Sequence, residues 1–228
     1  MSDAKRRVAE AAAELVEPGM RLGLGTGSTA ALFIEALGRR VADGLDLPPA
    51  AATSRASEDA ARRAGIAIID MMGPDAPAEL DLAIDGADEA DPRLSLIKGG
   101  GASLLREKIV EALARRFVVI IDESKVVEQL GAFPLPVEIV PFGWASTAHL
   151  IRSRLGVEPQ LREARGEVLK TDNGNFILDL PFGTIADPEA TARTLAGIPG
   201  VVEHGLFIGM ASEALVSDGQ NVRRLTPA

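Results

Sequence analysis

The stretch MRLGLGTGSTAALFIEALGRRV, residues 20–41, decides the fold. Met20–Leu24 is a short apolar run that reads as a strand, and it ends in Gly25-Thr26-Gly27-Ser28-Thr29. Leu32, Ile34, Leu37 and Val41 then mark a helix. A strand that turns through glycines straight into a helix is the opening of a βαβ unit, so parallel partner strands must follow. Upstream, Val8, Ala12, Leu15 and Val16 recur at helical spacing across 4–16, and Pro18-Gly19 stops the pattern. Downstream, Ala50–Thr53 is a weak strand, a helix ends at Gly65, and Ile66–Asp70 reads as a strand. Residues 71–79 carry Gly73, Pro74 and Pro77 and read as loop. Leu80–Ile84 is a further strand, ending at Asp85. Leu94–Ile97 precedes Lys98-Gly99-Gly100-Gly101, a helix runs through about residue 115, and Phe117–Ile121 is a strongly apolar strand. Strands alternating with helices predict a parallel sheet covered on both faces.

The organisation changes near residue 131, where Phe133-Pro134-Leu135-Pro136 punctuates the chain. Beyond it the pattern reads strand 137–140, helix 146–155, strand 158–161 or 167–170, strand 175–180, helix 188–196 and strand 201–204. That order is a split βαβ, ferredoxin-like unit. The apolar run from Leu206 returns to the first sheet. The expected fold class is α/β: a parallel-sheet, Rossmann-like main domain (1–130 plus 205–228) with an inserted α+β, ferredoxin-like domain (131–204).

Three loops carry candidate chemistry. In Gly25–Thr29 the glycines admit an anion close to the backbone, helix N–H groups point at it, and Ser28 and Thr29 add hydroxyls. Phosphate is the natural guest; a turn capped by Ser or Thr is the plain alternative. Gly25, Gly27 and Ala30 also satisfy a dinucleotide fingerprint, but the next strand ends at Thr53-Ser54 with no carboxylate for a ribose. A sugar phosphate or other small phosphate is therefore preferred.

The second loop is Asp85-Gly86-Ala87-Asp88-Glu89, with Asp91 just after. Asp85 and Asp88 can share a pocket, where two carboxylates grip sugar hydroxyls, move protons or bind Mg²⁺. Glu89 and Asp91 read as a solvated acidic turn. The third is Lys98-Gly99-Gly100-Gly101, whose glycines are wasteful as plain structure and make sense if the backbone lines a site. Glu107 lies about two turns inside the next helix, among Leu104, Leu105, Ile109 and Leu113. Desolvated there, it would have a raised pKa suited to taking a carbon-bound proton; a solvated Glu107–Glu111 polar stripe is the alternative. Lys125 follows the strand 117–121 and can reach the same sheet edge or sit in solvent. His149 and His204 are read as structural, and Phe142 and Trp144 as packing or interface residues.

Composition excludes several classes. With 33 acidic and 24 basic residues the formal net charge is −9, which argues against nucleic acid or an anionic membrane as partner. No cysteine means no disulfide, thiolate catalysis or iron–sulfur cluster, and two histidines make a multi-histidine metal site improbable. The N-terminal MSDAKRRVAEAAAELVEPG has no long apolar run, so neither a signal peptide nor a membrane span is expected, and a cytoplasmic protein is.

Seven stretches in order and register closely resemble the type A ribose-5-phosphate isomerases: GLGTGSTA at 23–30, DLAIDGADEAD at 81–91, IKGGGASLLREKI at 97–109, IDESK at 121–125, FPLPVEIVPF at 133–142, TDNGNFILD at 171–179 and IPGVVEHGLF at 198–207. The resemblance implies interconversion of D-ribose 5-phosphate and D-ribulose 5-phosphate through a cis-enediolate, in the pentose phosphate pathway. It implies Glu107 as general base, Asp85 and Asp88 for sugar hydroxyls and ring opening, and Lys98 for charge on the reacting oxygens. Thr26, Gly27, Ser28, Thr29, Gly86, Ala87, Gly99, Gly100, Gly101 and Lys125 become substrate contacts, with phosphate and hydroxyl loops not assigned. The family implies no metal, no organic cofactor, and a homodimer or homotetramer. The rival readings are a Mg²⁺-dependent phosphohydrolase at Asp85–Asp91, a sugar-phosphate sensor, and a coenzyme A transferase or sugar-phosphate deaminase on a related fold.

Overall fold

The computed structural model describes residues 2–228. Helix α1 (Ser2–Ala13) leads into β1 (Leu22–Leu24), α2 (Ser28–Ala42), β2 (Ala51–Ala52), α3 (Arg55–Arg63) and β3 (Leu82–Asp85). Then come β4 (Glu89–Ala90), β5 (Leu96–Ile97), α4 (Leu104–Ala112) and β6 (Phe117–Asp122). The next segment holds β7 (Leu135–Ile139), α5 (Trp144–Leu155), β8 (Gln160–Leu161), β9 (Glu163–Ala164), β10 (Glu167–Val168), β11 (Phe176–Leu180), α6 (Pro188–Ala196) and β12 (Val201–His204). The chain closes with β13 (Leu206–Phe207), β14 (Glu213–Ser217) and β15 (Val222–Leu225).

The main sheet has the order β15-β14-β6-β3-β1-β2 and is parallel except for the edge strand β15. Connections leave β1 in one direction to β2 and return past it to β3. The order therefore reverses between β1 and β3, and a crevice opens at their carboxyl ends, where such sheets bind ligands. Alternate residues of each strand face opposite layers. Val118 and Ile120 point to a core with Val8, Ala12, Phe33, Ile34 and Leu37 of α1 and α2. Phe117, Val119 and Ile121 point the other way, against Leu94, Leu96 and Phe207. That second face is covered by α4 and by a small antiparallel sheet, β13-β5-β4. Leu206 onward thus first joins β5, and only β14 returns to the main sheet beside β6.

The segment 135–204 forms an antiparallel sheet in the order β12-β7-β11-β8, the ferredoxin-like arrangement. Leu135, Val137, Ile139, Leu178 and Leu180 pack against Ile151 of α5 and Leu195 of α6. Its other face supplies Ile177, which packs on Ala102 and Leu104 at the start of α4. Helix α4 thus lies between the two sheets. The 171–175 turn reaches further. Asp172 accepts the Arg55 N–H at 2.9 Å, and Asn173 Oδ1 accepts from Arg106 Nε at 2.9 Å.

Two expectations are overturned. Ile66–Asp70 is not a strand: only Ile68 bridges to Ala50, because the sheet ends at the two-residue β2 and offers no ladder beyond it. Both alternatives for the strand after α5 exist in part, β8 in the sheet and β9–β10 as a separate hairpin. Glu89 is not solvated. It is 4% exposed and accepts the N–H groups of Gly131 at 2.7 Å and Phe133 at 2.5 Å, pinning the crossing into the second sheet. Asp91 does cap its own loop, accepting from Arg93 and Ser95 N–H. Replacing Glu89 with Ala strands the buried Gly131 N–H, at about 1–3 kcal/mol, and the half-buried Phe133 N–H at less. Urea unfolding of Glu89→Ala is expected to show that loss as a lower midpoint, with Glu89→Gln losing less.

Candidate active site

Residue Gly25 makes the first decisive contact. A Cβ there would stand 2.1 Å from Asp85 Cγ, so glycine is what lets β1 and the end of β3 close on each other. Asp85 is fully buried, and its Oδ1 accepts the N–H groups of Thr26 at 2.9 Å and Gly86 at 2.6 Å. Its Oδ2 faces Lys98 Nζ at 2.9 Å. Lys98 directly follows β5 and is 2% exposed. The ammonium also donates to Gly86 O at 2.6 Å and lies 3.5 Å from Glu107 Oε2 and 3.3 Å from Glu111 Oε1. The rings of Phe117 and Phe207 lie 5.9 and 5.4 Å from it. Burial disfavours the charge on Lys98, but Asp85, Glu107 and Glu111 together outweigh that and hold its pKa above the usual lysine value.

Glu107 is 4% exposed, so the polar-stripe alternative fails for it and for Glu111, which is 3% exposed. Burial pushes the Glu107 carboxyl up to about 8 against the pull of Lys98, with Asp85 and Asp88 adding to the rise. Its expected apolar wall is partly different: Leu104 is buried, but Ile109 is half exposed on the opposite side of α4. The desolvation comes from the helix being enclosed between sheets.

Above this cluster opens a cavity of about 150 Å³. Thirteen of the fourteen candidate residues form its wall, and Asp85 lies just beneath it. Asp88 accepts the Gly100 N–H at 2.7 Å, and a Cβ on Gly100 would meet Asp88 Oδ1 at 2.6 Å. Helix α2 begins at an N-cap of Gly27 with φ 108° and no side-chain cap, which overturns the capped-turn alternative. Its first-turn N–H groups therefore face the cavity uncommitted, as an anion site requires. Thr26 contributes less polarity than expected. Its hydroxyl is engaged with Thr53 at 2.7 Å, Ser54 at 2.8 Å and Ser57 at 3.1 Å, while Ser57 donates to Gly25 O at 2.6 Å.

Matching the chain against family models places residues 50–221 in Ribose 5-phosphate isomerase A (phosphoriboisomerase A). The chain belongs to the ribose-5-phosphate isomerase A family. A ribose-5-phosphate isomerase A of Thermomicrobium roseum is 52% identical over 225 residues, 97% of this chain and 93% of the relative. One from Methylorubrum extorquens is 53% identical over 221 residues, 94% and 92% of the two chains. Among solved structures, the ribose 5-phosphate isomerase A of Methanocaldococcus jannaschii superposes with TM-score 0.91 at 39% identity, covering 99% of each chain. A D-ribose-5-phosphate isomerase in complex with phospho-erythronic acid gives TM-score 0.92 at 37% identity, covering 99% of this chain and 98% of the other.

Several residues of this isomerase-family site escape the sequence reading. Lys5 on α1 lines the cavity and donates to Ser28 Oγ at 2.9 Å. Arg162, held by Asp179, donates to Gly99 O at 2.8 Å and Gly100 O at 3.2 Å, so the second sheet braces the triple-glycine loop. Asp122 caps the short turn that carries Lys125 to the rim. Lys5 and Arg162 belong to no local motif with a chemical signature, whereas Asp122 lies within the IDESK stretch at 121–125. Among the described residues, no three His, Cys, Asp or Glu side chains are grouped to hold a metal. Where carboxylates converge, the Lys98 ammonium occupies the centre. Gly25→Ala is expected to displace Asp85 and lower kcat/KM by about a hundredfold, since ångström-scale misplacement at a reacting centre costs that much. Steady-state kinetics beside an unchanged far-ultraviolet circular dichroism spectrum checks it.

Proposed function

We propose that this chain interconverts D-ribose 5-phosphate and D-ribulose 5-phosphate through a cis-enediolate, in the pentose phosphate pathway. The observation that carries the proposal is a buried carboxylate, Glu107, lining the cavity 3.5 Å from a buried ammonium and sharing that cavity with the uncapped N-terminus of α2. Family membership supports the reaction, and the phospho-erythronic acid complex of a structural relative supports a phosphorylated sugar as guest.

In this reading the phosphate sits at the first turn of α2, with Ser28, Thr29, Lys5 and Lys125 around it. Asp88 handles the sugar hydroxyls and ring opening; Asp85, expected to share that task, lies beneath the wall with its oxygens on Thr26, Gly86 and Lys98, and fixes Lys98 instead. Glu107 takes the proton from C2 of the open aldose. The electrons of that C–H bond form the C1–C2 double bond of the enediolate as the C1=O1 π pair moves onto O1; the O2–H proton passes to O1, so that C2=O2 forms when C1 is protonated. Lys98 and the Gly99–Gly101 backbone stabilise charge on O1 and O2 while Glu107 returns the proton to C1. Thr26, Gly27, Gly86 and Ala87 complete the wall. No step draws on a cofactor or metal, and the Lys98 charge at the carboxylate focus weighs against the phosphohydrolase.

The same reading divides the chain into a catalytic unit, 1–130 with 205–228, and an inserted unit, 131–204. It places the protein in the cytoplasm, without nucleic-acid or membrane partners, as a homodimer or homotetramer. The net charge of −9 supports the absence of nucleic-acid and membrane partners, and the exposed Phe142, two residues before α5, supports a subunit interface. Among the described residues no helix is long and apolar enough to cross a membrane. Sedimentation equilibrium is expected to give a multiple of the 23.9 kDa chain mass.

Glu107→Gln is expected to lower kcat by about 10²–10⁴-fold, in EDTA, with substrate still bound. It should equally stop exchange of the C2 hydrogen with deuterated water; unimpaired exchange removes Glu107 as the base. Because the base must lose its proton, kcat/KM should rise with pH and level off above about 8. A profile flat between about 6 and about 9 contradicts the assignment.

A further inference from the structure

One buried acid takes no part in the steps above. Glu111 sits one turn beyond Glu107 on α4, its side chain 1% exposed, and it is absent from the cavity wall. Three carboxyls, those of Asp85, Glu107 and Glu111, converge on the single Lys98 ammonium, with side-chain exposures of 1%, 5% and 1%. Three buried negative charges against one positive charge are not sustainable, so the cluster must retain a proton.

The hydrogen-bond pattern shows where. Asp85 is served as an anion: two N–H groups hold Oδ1 and the ammonium holds Oδ2. Lys98 Nζ donates to Gly86 O at 2.6 Å and lies 2.9 Å from Asp85, 3.3 Å from Glu111 and 3.5 Å from Glu107, so Asp85 has the shortest ion pair of the three. Of the three carboxyls Glu111 is the one with both oxygens buried and unpartnered, where Asp85 and Glu107 each have one, and Asp85, on the same ammonium, acts directly on it. A carboxyl that receives no N–H and faces another carboxylate has one satisfactory state, the neutral acid donating its own O–H.

We propose that Glu111 is a positioning residue of this site, a neutral acid whose O–H donates to Asp85 and so fixes Asp85 and Lys98 for the reaction. The proposal rests on the reading of Glu107 as the base. Burial raises Glu111 well above the carboxylate range, opposed by Lys98 and reinforced by Asp85 and Glu107. Lys108 of α4 also feels Glu111, but its ammonium is taken by Glu203 and by the His204 and Leu206 carbonyls. Asp88 acts on Glu107 from the loop after β3. With Glu111 neutral, Lys98 and Asp85 balance, and Glu107 alone exchanges its proton with the cavity. An ionised Glu111 would instead add repulsion to Glu107 and drive its titration further from neutrality.

The test uses the full chain and three variants. Infrared spectra recorded at a pH above the Glu107 midpoint of about 8, where Glu107 is ionised, with ¹³C-labelled glutamate, are expected to show a neutral-acid carbonyl band that Glu111→Gln removes and that persists in Glu107→Gln. Glu111→Leu, which has no donor, should lose about tenfold to a hundredfold in kcat with KM little changed. Glu111→Gln, which keeps a donor and no charge, should recover most of that loss and leave the pH midpoint of kcat/KM in place. A midpoint displaced downward by about one unit in Glu111→Gln overturns the proposal, because it reveals an anion at 111. So does a Glu111-dependent band missing from the unsubstituted chain. Should Glu111→Leu fail to fold, the band and the Gln midpoint still decide. Full activity in Glu107→Gln, with the Glu111 band intact, would sink the base assignment alone.

Discussion

A single buried ammonium is the constraint on which this structure turns. Lys98 has almost no contact with water, and only the three carboxyls beside it make its charge tolerable. Each carboxyl comes from a different part of the architecture or a different turn: Asp85 from the end of β3, Glu107 and Glu111 from successive turns of α4. The cluster therefore joins the main sheet, the small antiparallel sheet and the helix between the layers. Breaking one such pair leaves a charge without its partner, a penalty of about 3–5 kcal/mol in buried settings. The arrangement that supports catalysis is also what makes the layers mutually dependent.

Glycine has a related purpose. Gly25 and Gly100 are places where a carboxylate occupies the volume a Cβ would need. The acidic loop after β3 can then lie against both neighbouring loops, and its oxygens are satisfied by backbone N–H groups. Electrostatically the cavity is divided. Its floor carries the balanced Lys98 cluster, while its rim carries Lys5, Lys125 and a bare helix terminus. That rim is locally positive in spite of the chain's net charge of −9.

The parts of this design that show in the sequence are those set by local geometry. The strand–glycine–helix passage at 20–41 fixes the parallel sheet, and the three motif loops stand out as carriers of chemistry before any coordinates. Apolar alternation also gives β11, α6 and β12 nearly to the residue. What does not show depends on partners distant in the chain. Glu89 looks like a solvated turn residue because its donors, Gly131 and Phe133, lie more than forty positions away. Glu111 looks like a helix-surface acid because the group that buries it belongs to β5. Lys5 stands beside Arg6 and Arg7, which face solvent, and nothing local sets it apart. Ile66–Asp70 has strand composition, yet the sheet ends at β2 and leaves it a single bridge.

The return segment after the second sheet has a bearing on how the protein is made. Gly205 O accepts the Lys98 N–H at 2.9 Å, the Phe207 ring lies near both Lys98 and Lys108, and the Leu206 carbonyl holds Lys108. A growing chain on the ribosome can bring together β1, β3, β6 and the motif loops from its first half. The ammonium at their centre acquires its full surroundings only when residues 205–207 emerge, and the inserted sheet must be synthesised in between. Vectorial synthesis thus separates the appearance of the chemical groups from the closure of the site they form. The nascent isomerase carries its functional side chains for about a hundred residues of translation before they are locked in place.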